Sequence, residues 1–220
     1  MRPDVQYHTS FLAQFMQSPT IAAYEAALGV LAYLVKTKSL GVTYGGAITV
    51  PDLEYNIDST MIDADQFVSN HGLIAISDAS WGVPRPYAGH VVMFANGPIS
   101  WLSRRLKIVC DSSCEAETAS LSLACKNMSY VRRILADMGV KLSGPVPVVI
   151  DNSGTFGDVR RTAPSQRTKH FDRWVQYARG EALALRISVH LVSTKTMLAD
   201  VFTKALVKNV FVPLRDALLG

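Results

Sequence analysis

The segment that decides the fold spans residues 73–109 and reads LIAISDASWGVPRPYAGHVVMFANGPISWLSRRLKIV. It contains three runs rich in β-branched and aromatic residues, at 73–78, 87–94 and 99–109. Asn96-Gly97, between the second and third runs, is a strong hairpin signal. The segment therefore predicts three consecutive strands joined as antiparallel neighbours.

After this segment, strands alternate with helices. Ser112 and Glu115 have the spacing of a capping box and predict the start of a long helix, which Gly139 ends. An apolar strand follows at 146–150, and an alternating strand at 185–191. The remaining helical patterns are two helices within 7–36, one helix at 168–179 and a last helix that begins near Thr196.

This order predicts the α/β class, with a mixed five-stranded sheet, helices on both faces and a small helical segment in front. We expect three parts: a helical segment at 1–44, an acidic irregular connector at 45–70 and the α/β domain at 71–220. The connector has no clear hydrophobic period and contains Gly45-Gly46 and Pro51, which makes it the expected boundary.

The composition excludes several classes of protein. With 220 residues, 49% of them hydrophobic, the chain can form a core and is not intrinsically disordered. No run approaches the ~18 apolar residues of a membrane span, and the first residues lack the plan of a signal peptide. Its three cysteines indicate reduced thiols. The chain is therefore expected to be soluble and intracellular, without a membrane partner.

Charge is unevenly distributed along the chain. Residues 45–80 contain six acidic and no basic residues, whereas residues 100–180 contain 13 basic and seven acidic ones. A basic half of this kind favours binding to a phosphate backbone. A solvated basic surface is the alternative that charge alone leaves open.

Four carboxylates occupy positions that bring them to one edge of the predicted sheet. Asp78 and Asp151 end predicted strands, and Glu117 and Asp200 lie near the starts of predicted helices. Such a cluster stays ionised only beside cations, and hard oxygen ligands favour Mg²⁺ or Mn²⁺. Two such ions, about 3.5–4 Å apart, would suit a phosphodiester substrate.

These carboxylates also have an ordinary interpretation. Asp and Glu are common at helix caps and in first turns, because they accept from free N–H groups. Residues 151–154 fit a simple Asx turn as well. Spacing alone therefore leaves both interpretations open.

Six strings stand in order along the chain: SDASW (77–81), GPISW (97–101), SSCEAE (112–117), IDN (150–152), RTKHFD (167–172) and LADVFTK (198–204). Together they resemble the RNase H region of copia-type (Pseudoviridae-like) LTR retrotransposon Pol polyproteins. Residues 2–44 are similar to the segment that follows the reverse transcriptase palm in that family.

The resemblance implies an RNase H-like fold that hydrolyses the RNA strand of RNA–DNA hybrids with two Mg²⁺ or Mn²⁺ ions. The catalytic and metal-binding quartet of the family maps onto Asp78, Glu117, Asp151 and Asp200. Glu115 is the competing glutamate, but the capping box already gives it a local role. The resemblance also implies contacts to nucleic acid and an auxiliary histidine, carried by Asn152, Ser153, Ser113, Arg104, Arg105, Arg167, Lys169 and, as the histidine, His170.

The expected partners are the hybrid and the reverse transcriptase portion of the same polyprotein, in a cytoplasmic virus-like particle. Asp111, Thr118 and the short loop at 82–89 depart from the family pattern. A decayed, non-catalytic nucleic-acid-binding module is therefore a second hypothesis. A DDE-type transposase or integrase-like nuclease is a third, disfavoured by the order of the strands and by the RTKH string.

Overall fold

The protein is described by a computed structural model that covers residues 1–48, 62–82, 85–161 and 169–220. Five strands form one sheet in the order β3-β2-β1-β4-β5. β1, β2 and β3 are antiparallel neighbours, whereas β4 pairs in parallel with β1, and β5 in parallel with β4. The strands are β1 (Ile74–Ser80), β2 (Tyr87–Phe94), β3 (Gly97–Arg105), β4 (Val146–Ile150) and β5 (Ile187–Leu191). The predicted mixed five-stranded sheet is confirmed.

Seven α-helices accompany the sheet in the described part of the chain. They are α1 (Gln6–Leu12), α2 (Ile21–Lys36), α3 (Ala64–Ser69), α4 (Ser113–Asp137), α5 (Ser153–Arg160), α6 (Asp172–Leu183) and α7 (Lys208–Leu219). Short 3-10 turns precede and follow α1, at Pro3–Val5 and Ala13–Phe15. Two more, Thr194–Thr196 and Leu198–Phe202, connect β5 to the last helix.

The long helix α4 begins and ends as its sequence predicts. The Ser112 hydroxyl accepts from the backbone N–H of Glu115 at 3.2 Å. The second hydrogen bond of the capping box differs from the usual one, because the Glu115 carboxylate accepts from the N–H of Asp111 rather than from that of Ser112. Gly139 follows the helix with φ +82°, the left-handed conformation that ends many helices.

The β2–β3 hairpin turns one residue earlier than the Asn-Gly pair suggests. Ala95 and Asn96 separate the strands, and both have positive φ (49° and 64°), as a primed turn requires. Gly97 already belongs to β3, where a side chain would overlap the ring of Tyr44. The Tyr44 hydroxyl also donates to the carbonyl of Pro98. This glycine is needed for a close approach rather than for the turn.

Helices cover both faces of the sheet, as predicted. On one face Ala75 and Val148 pack with α4 residues such as Leu121 and Met128. On the other face the alternate residue Ile74 lies in a cluster with the Leu198–Phe202 turn and α7. Because successive strand residues point to opposite faces, each face has its own core.

Three local predictions were wrong. The connector is not irregular throughout, since it contains α3, which Asp63 caps by accepting from the N–H of Gln66. Helix α5 was missed, and its segment is more than an Asx turn. The predicted last helix near Thr196 is a pair of 3-10 turns, and α7 begins only at Lys208.

The N-terminal segment contains the two predicted helices, with Thr20 as the N-cap of α2. It contacts the sheet, since the ring of Tyr7 lies 5.2 Å from that of Tyr87 in an edge-on arrangement. Asp4 is fully buried and binds Arg2 and Tyr33, which ties the chain start to α2. The division at 1–44, 45–70 and 71–220 stays a prediction. None of the described helices has the length and apolar character needed to cross a membrane.

Candidate active site

Two aspartates lie side by side on neighbouring strands. Asp78 belongs to β1, which continues two residues beyond it to Ser80, and Asp151 directly follows β4. The parallel register pairs Ile76 with Val149, and its continuation places Asp78 beside Asp151. Neighbouring residues of parallel strands point to the same face of a sheet. Both carboxylates therefore lie on one face, at the carboxyl end of β4.

Helix α4 brings a third carboxylate to the same place. Glu117 lies in the second turn of α4 and is only 5% exposed. One carboxylate oxygen of Asp78, one of Glu117 and one of Asp151 all lie within 4.8 Å of one another. Glu117 Oε2 has no hydrogen-bond partner among the described residues.

Asp200 reaches the site from the other side of Asp78. It lies in the Leu198–Phe202 turn and is outside the group of three, but its charge interacts with that of Asp78. The Nζ of Lys204 lies 2.6 Å from Asp200 Oδ1 and 3.5 Å from Asp78 Oδ2. The hydroxyl of Thr203 also donates to Asp78. Asp78 is thus the centre of the arrangement, with carboxylates on two sides of it.

A glycine allows this close approach. Gly89 of β2 pairs with Asp78 across the antiparallel ladder. A Cβ at Gly89 would lie 2.6 Å from the Cβ of Phe202 and 2.7 Å from Cγ2 of Thr203, closer than real Cβ atoms come. Any side chain there would push the turn that contains Asp200 away from the sheet.

The carboxylates repel one another in a buried setting. Burial, with the charges of Asp78 and Asp151, raises the pKa of Glu117 to about 10. Burial and Asp78 also raise the pKa of Asp151. Burial raises the pKa of Asp200 to about 6, although the hydrogen bond from Lys204 opposes the shift. The pKa of Lys204 is raised by Asp78 and Asp200 against the effect of its own burial.

These residues fit divalent cations. The donor set consists of carboxylate oxygens, the hard ligands that Mg²⁺ and Mn²⁺ prefer. The Glu117 oxygen that lacks a partner is buried and lies beside two further carboxylates. A buried acceptor in this state costs free energy that a bound cation would recover.

Comparison with known proteins finds relatives among retrotransposon proteins. The chain is 30% identical over 210 residues to the retrovirus-related Pol polyprotein from transposon RE1 of Arabidopsis thaliana, covering 96% of this chain and 13% of that polyprotein. It is 26% identical over 211 residues to the corresponding polyprotein from transposon TNT 1-94 of Nicotiana tabacum, covering 96% and 14%. The chain is a homologue of copia-type retrotransposon Pol polyproteins. No family model matches it.

Solved structures that resemble the chain include two RNase H domains. An N-terminal RNase H domain from Mycobacterium tuberculosis is 12% identical with a TM-score of 0.45, covering 66% of this chain and 96% of that one. RNase H1 from Halobacterium salinarum is 16% identical with a TM-score of 0.41, covering 60% and 93%. The fold class therefore rests on the strand order and register of this chain itself.

The residues predicted to contact nucleic acid differ in exposure and in their contacts. Ser113 and Ser153 are exposed at the starts of α4 and α5, which touch where the hydroxyl of Thr155 donates to the carbonyl of Cys114. Asn152 is committed to capping α5, since its side chain accepts from the N–H of Thr155. Among the basic candidates, Arg104 and Lys169 are exposed and Arg105 is half-buried. Arg167 lies outside the described residues.

A second acidic group lies at the start of the same helix. Asp111, Glu115 and His170 offer ligand atoms within 4.8 Å of one another, and His170 Nε2 lies 3.5 Å from Glu115 Oε2. His170 is half exposed and belongs to this second group, not to the group around Asp78. Glu115 and Glu117 thus belong to two different groups of side chains.

Sequence reasoning missed two residues of the site, Thr203 and Lys204, which both contact Asp78. A signal was present, because Lys204 lies four residues after Asp200, the spacing at which opposite charges meet on a helix.

Proposed function

We propose that the chain is a ribonuclease H that cuts the RNA strand of RNA–DNA hybrids and depends on two divalent cations. The observation that supports this most directly is the group of Asp78, Glu117 and Asp151, with ligand oxygens within 4.8 Å of one another. A buried group of acids with one partnerless oxygen is unstable without cations. Homology to retrotransposon Pol polyproteins supports a role in reverse transcription.

In this proposal the four acidic residues of the site together bind two Mg²⁺ or Mn²⁺ ions. Asp78, Asp151, Glu117 and Asp200 would hold the ions, with Glu117 contributed by α4 and Asp200 by the Leu198–Phe202 turn. Bound ions at such sites generate a nucleophile at neutral pH and stabilise the leaving oxygen of a phosphodiester. Lys204 stabilises the carboxylates of Asp78 and Asp200 when no ion is bound, since its Nζ contacts both.

Substrate recognition in this proposal uses polar and basic residues near the group. Ser113 and Ser153 are exposed at two adjacent helix starts, where they are suited to contact 2′-hydroxyls of RNA. Asn152 contributes by fixing the start of α5. Arg104, Arg105, Arg167 and Lys169 hold backbone phosphates.

The relatives suggest the setting of this activity. Because the chain matches only 13–14% of long Pol polyproteins, we propose that it works beside the reverse transcriptase portion of the same polyprotein. The proposed location is a cytoplasmic virus-like particle. His170 contacts Glu115 and not the quartet, so its proposed role is auxiliary.

Cleavage of labelled duplexes tests the proposal. The purified chain is incubated with an RNA–DNA hybrid in Mg²⁺, Mn²⁺ or EDTA, with double-stranded RNA and double-stranded DNA as controls. We expect cutting of the RNA strand of the hybrid alone, and only with a cation. Asp151→Asn is expected to lose cutting and to keep hybrid binding, because it removes a ligand and leaves the basic residues intact.

Two results would count against the proposal. Cutting of double-stranded DNA would favour a transposase-like nuclease. Hybrid binding without cutting in either cation, for the unchanged chain, would favour a non-catalytic binding module.

A further inference from the structure

Helix α2 presents an apolar face that the described residues leave largely uncovered. None of the 16 residues of α2 is buried. Five large apolar side chains along this face are 46–80% exposed: Ile21, Tyr24, Leu28, Leu31 and Val35. Together they expose an apolar surface on the order of 600 Å², which is the upper limit for the largest patch of a typical monomer. A surface of this size marks an interaction site.

The contacts of α2 direct this face away from the rest of the protein. The hydroxyl of Tyr33 donates to the buried carboxylate of Asp4 at 2.7 Å, and the ring of Tyr33 lies 5.8 Å from that of Phe211 in α7. Val30, on the same side of α2, is half-buried. Because a helix turns by about 100° per residue, this side lies opposite the apolar face around Leu28. The protein therefore holds α2 by one side and leaves the other in solvent.

The spacing of the five exposed side chains fits a helical partner. They follow one another at intervals of three, four, three and four residues, which is the a and d pattern of a heptad repeat. Side chains at these positions insert between the side chains of a facing helix. Binding to a lipid surface instead requires cationic residues beside the apolar face, and the charged residues of α2 are one acid and one base, Glu25 and Lys36. The pattern therefore favours a helix as the occupant.

A second copy of the chain supplies a helix that matches this face. Its own α2 has the same spacing and the same length of about 24 Å, so two apolar faces align over their whole length about a two-fold axis. Ala27 and Ala32 flank the a and d positions and are small enough to let two helices approach closely. Glu25 is the only charged residue at these flanking positions, so little like-charge repulsion opposes the pairing. Burial of about 600 Å² on each copy gives about 1,200 Å², the lower limit of specific interfaces.

We propose that two copies of the chain associate through the apolar face of α2, with the two α2 helices packed against each other as a short symmetric pair. Both helices are already folded on their own copies, so the association does not have to form them. An interface at the lower limit of size is weak and reversible, and we expect a dissociation constant in the micromolar range. The association does not rest on the proposed function, because α2 contributes no residue to the group around Asp78.

Sedimentation equilibrium of the full chain tests the association. The unchanged chain is expected to be dimeric at about 100 µM and monomeric well below 1 µM. The double variant Leu28→Lys/Leu31→Lys is expected to weaken dimerisation at least about 30-fold, because it places four charges in the shared apolar interface. Val109→Lys/Leu183→Lys is the matched control, since both residues are similarly exposed and lie outside α2. An unchanged chain that stays monomeric at about 100 µM, or equal losses in both variants, would overturn the proposal.

Cross-linking locates the interface. Leu28 lies at the middle of α2, so in a symmetric pair the two copies of this residue lie within about one helical turn of each other in either orientation. Leu28→Cys with a short bismaleimide is expected to give a covalent dimer. Leu183→Cys, at an equally accessible residue near the end of α6, is expected to give none, and both variants share the three native cysteines. No covalent dimer from Leu28→Cys, or equal yields from both variants, would place any association elsewhere and overturn the proposal.

Melting at two concentrations separates association from folding of the single chain. The melting temperature of the unchanged chain is expected to rise between about 1 µM and 100 µM, because association stabilises the folded state. Leu28→Lys/Leu31→Lys is expected to melt at one temperature throughout, equal to that of the unchanged chain at the lower concentration. A variant that melts well below this temperature would show that Leu28 and Leu31 pack within one copy. A monomeric unchanged chain that sediments with anionic phospholipid vesicles would assign the face to a membrane, and either result would overturn the proposal.

Discussion

Two acidic groups at the start of α4 differ in how their charges are balanced. Glu115 and Glu117 are two residues apart, and both are 5% exposed. The Glu115 carboxylate accepts from a backbone N–H and lies near His170. Glu117 instead faces Asp78 and Asp151 and keeps one oxygen without a partner among the described residues.

The comparison shows that burial alone does not distinguish a site from a cap. Glu115 is buried where donors of the protein already satisfy it, so it stabilises the helix start. Glu117 is buried where further carboxylates surround it, so the folded protein is destabilised there unless a cation or a proton intervenes. The partners of a buried carboxylate, rather than its exposure, indicate its role.

The largest expected effect comes from Asp78→Asn. Asp78 contacts Thr203 and Lys204 and shares the three-carboxylate group, so its loss removes the centre of the arrangement. We expect the rate of hybrid cleavage to fall at least about 100-fold, because bound metal contributes several kcal/mol to such reactions. Single-turnover cleavage measures the effect. A fall of less than threefold would place the reaction centre elsewhere.

Glu117→Gln is expected to stabilise the metal-free protein. The raised pKa of Glu117, about 10 against an ordinary 4.5, means that the folded state holds a proton that the unfolded chain releases. The stability from this group is therefore fully present below about pH 4.5 and is lost as pH rises toward 10. At pH 8 in EDTA we expect the free energy of unfolding of the variant to be ~1–3 kcal/mol higher than that of the unchanged chain. Each kcal/mol raises the melting temperature by about 2–4 °C.

The pH profile and the response to Mg²⁺ check this result. The difference in melting temperature between variant and unchanged chain grows from pH 5 to pH 8, and Mg²⁺ stabilises the unchanged chain more. A difference in melting temperature that stays constant from pH 5 to pH 8 would contradict the repulsion of Glu117 by Asp78 and Asp151. Groups such as Asp4, whose pKa is lowered, cancel in the comparison because both proteins contain them.

Substitutions in the second group have smaller effects and act on stability only. Glu115→Ala leaves the N–H of Asp111 without its acceptor, and we expect a loss of about 1–2 kcal/mol in urea unfolding. Asp111→Asn, at an exposed residue, changes stability by less than about 0.5 kcal/mol. Both variants keep hybrid cleavage. Loss of cleavage in Glu115→Ala at full folding would assign both glutamates to one site.

The sequence predicted the sheet and α4 because their signals are local. Alternating and continuous apolar runs specify the five strands, and Ser112 and Gly139 mark the two ends of the long helix. Helix α5 gave no such signal, since Gly154 and Gly157 weaken a segment of only eight residues. Helix α7 contains Pro213, and a proline inside a segment lowers its predicted helix propensity.

The sequence predicted the four acidic residues of the candidate site but not the residues that contact them. Asp78, Glu117, Asp151 and Asp200 stand at element ends or in recognisable strings, and the structure brings the first three together. Thr203 and Lys204 reach Asp78 only because Gly89 admits the Leu198–Phe202 turn, a packing relation that no local pattern contains.

The contact between Thr203 and Asp78 joins residues that are 125 positions apart. Synthesis of a chain proceeds from the N-terminus, so Asp78, Glu117 and Asp151 leave the ribosome well before Asp200 and Lys204 do. Contacts of such long range form late in folding. The group of Asp78, Glu117 and Asp151 therefore meets its last partners only after the segment that follows β5 has been synthesised and has packed against the sheet.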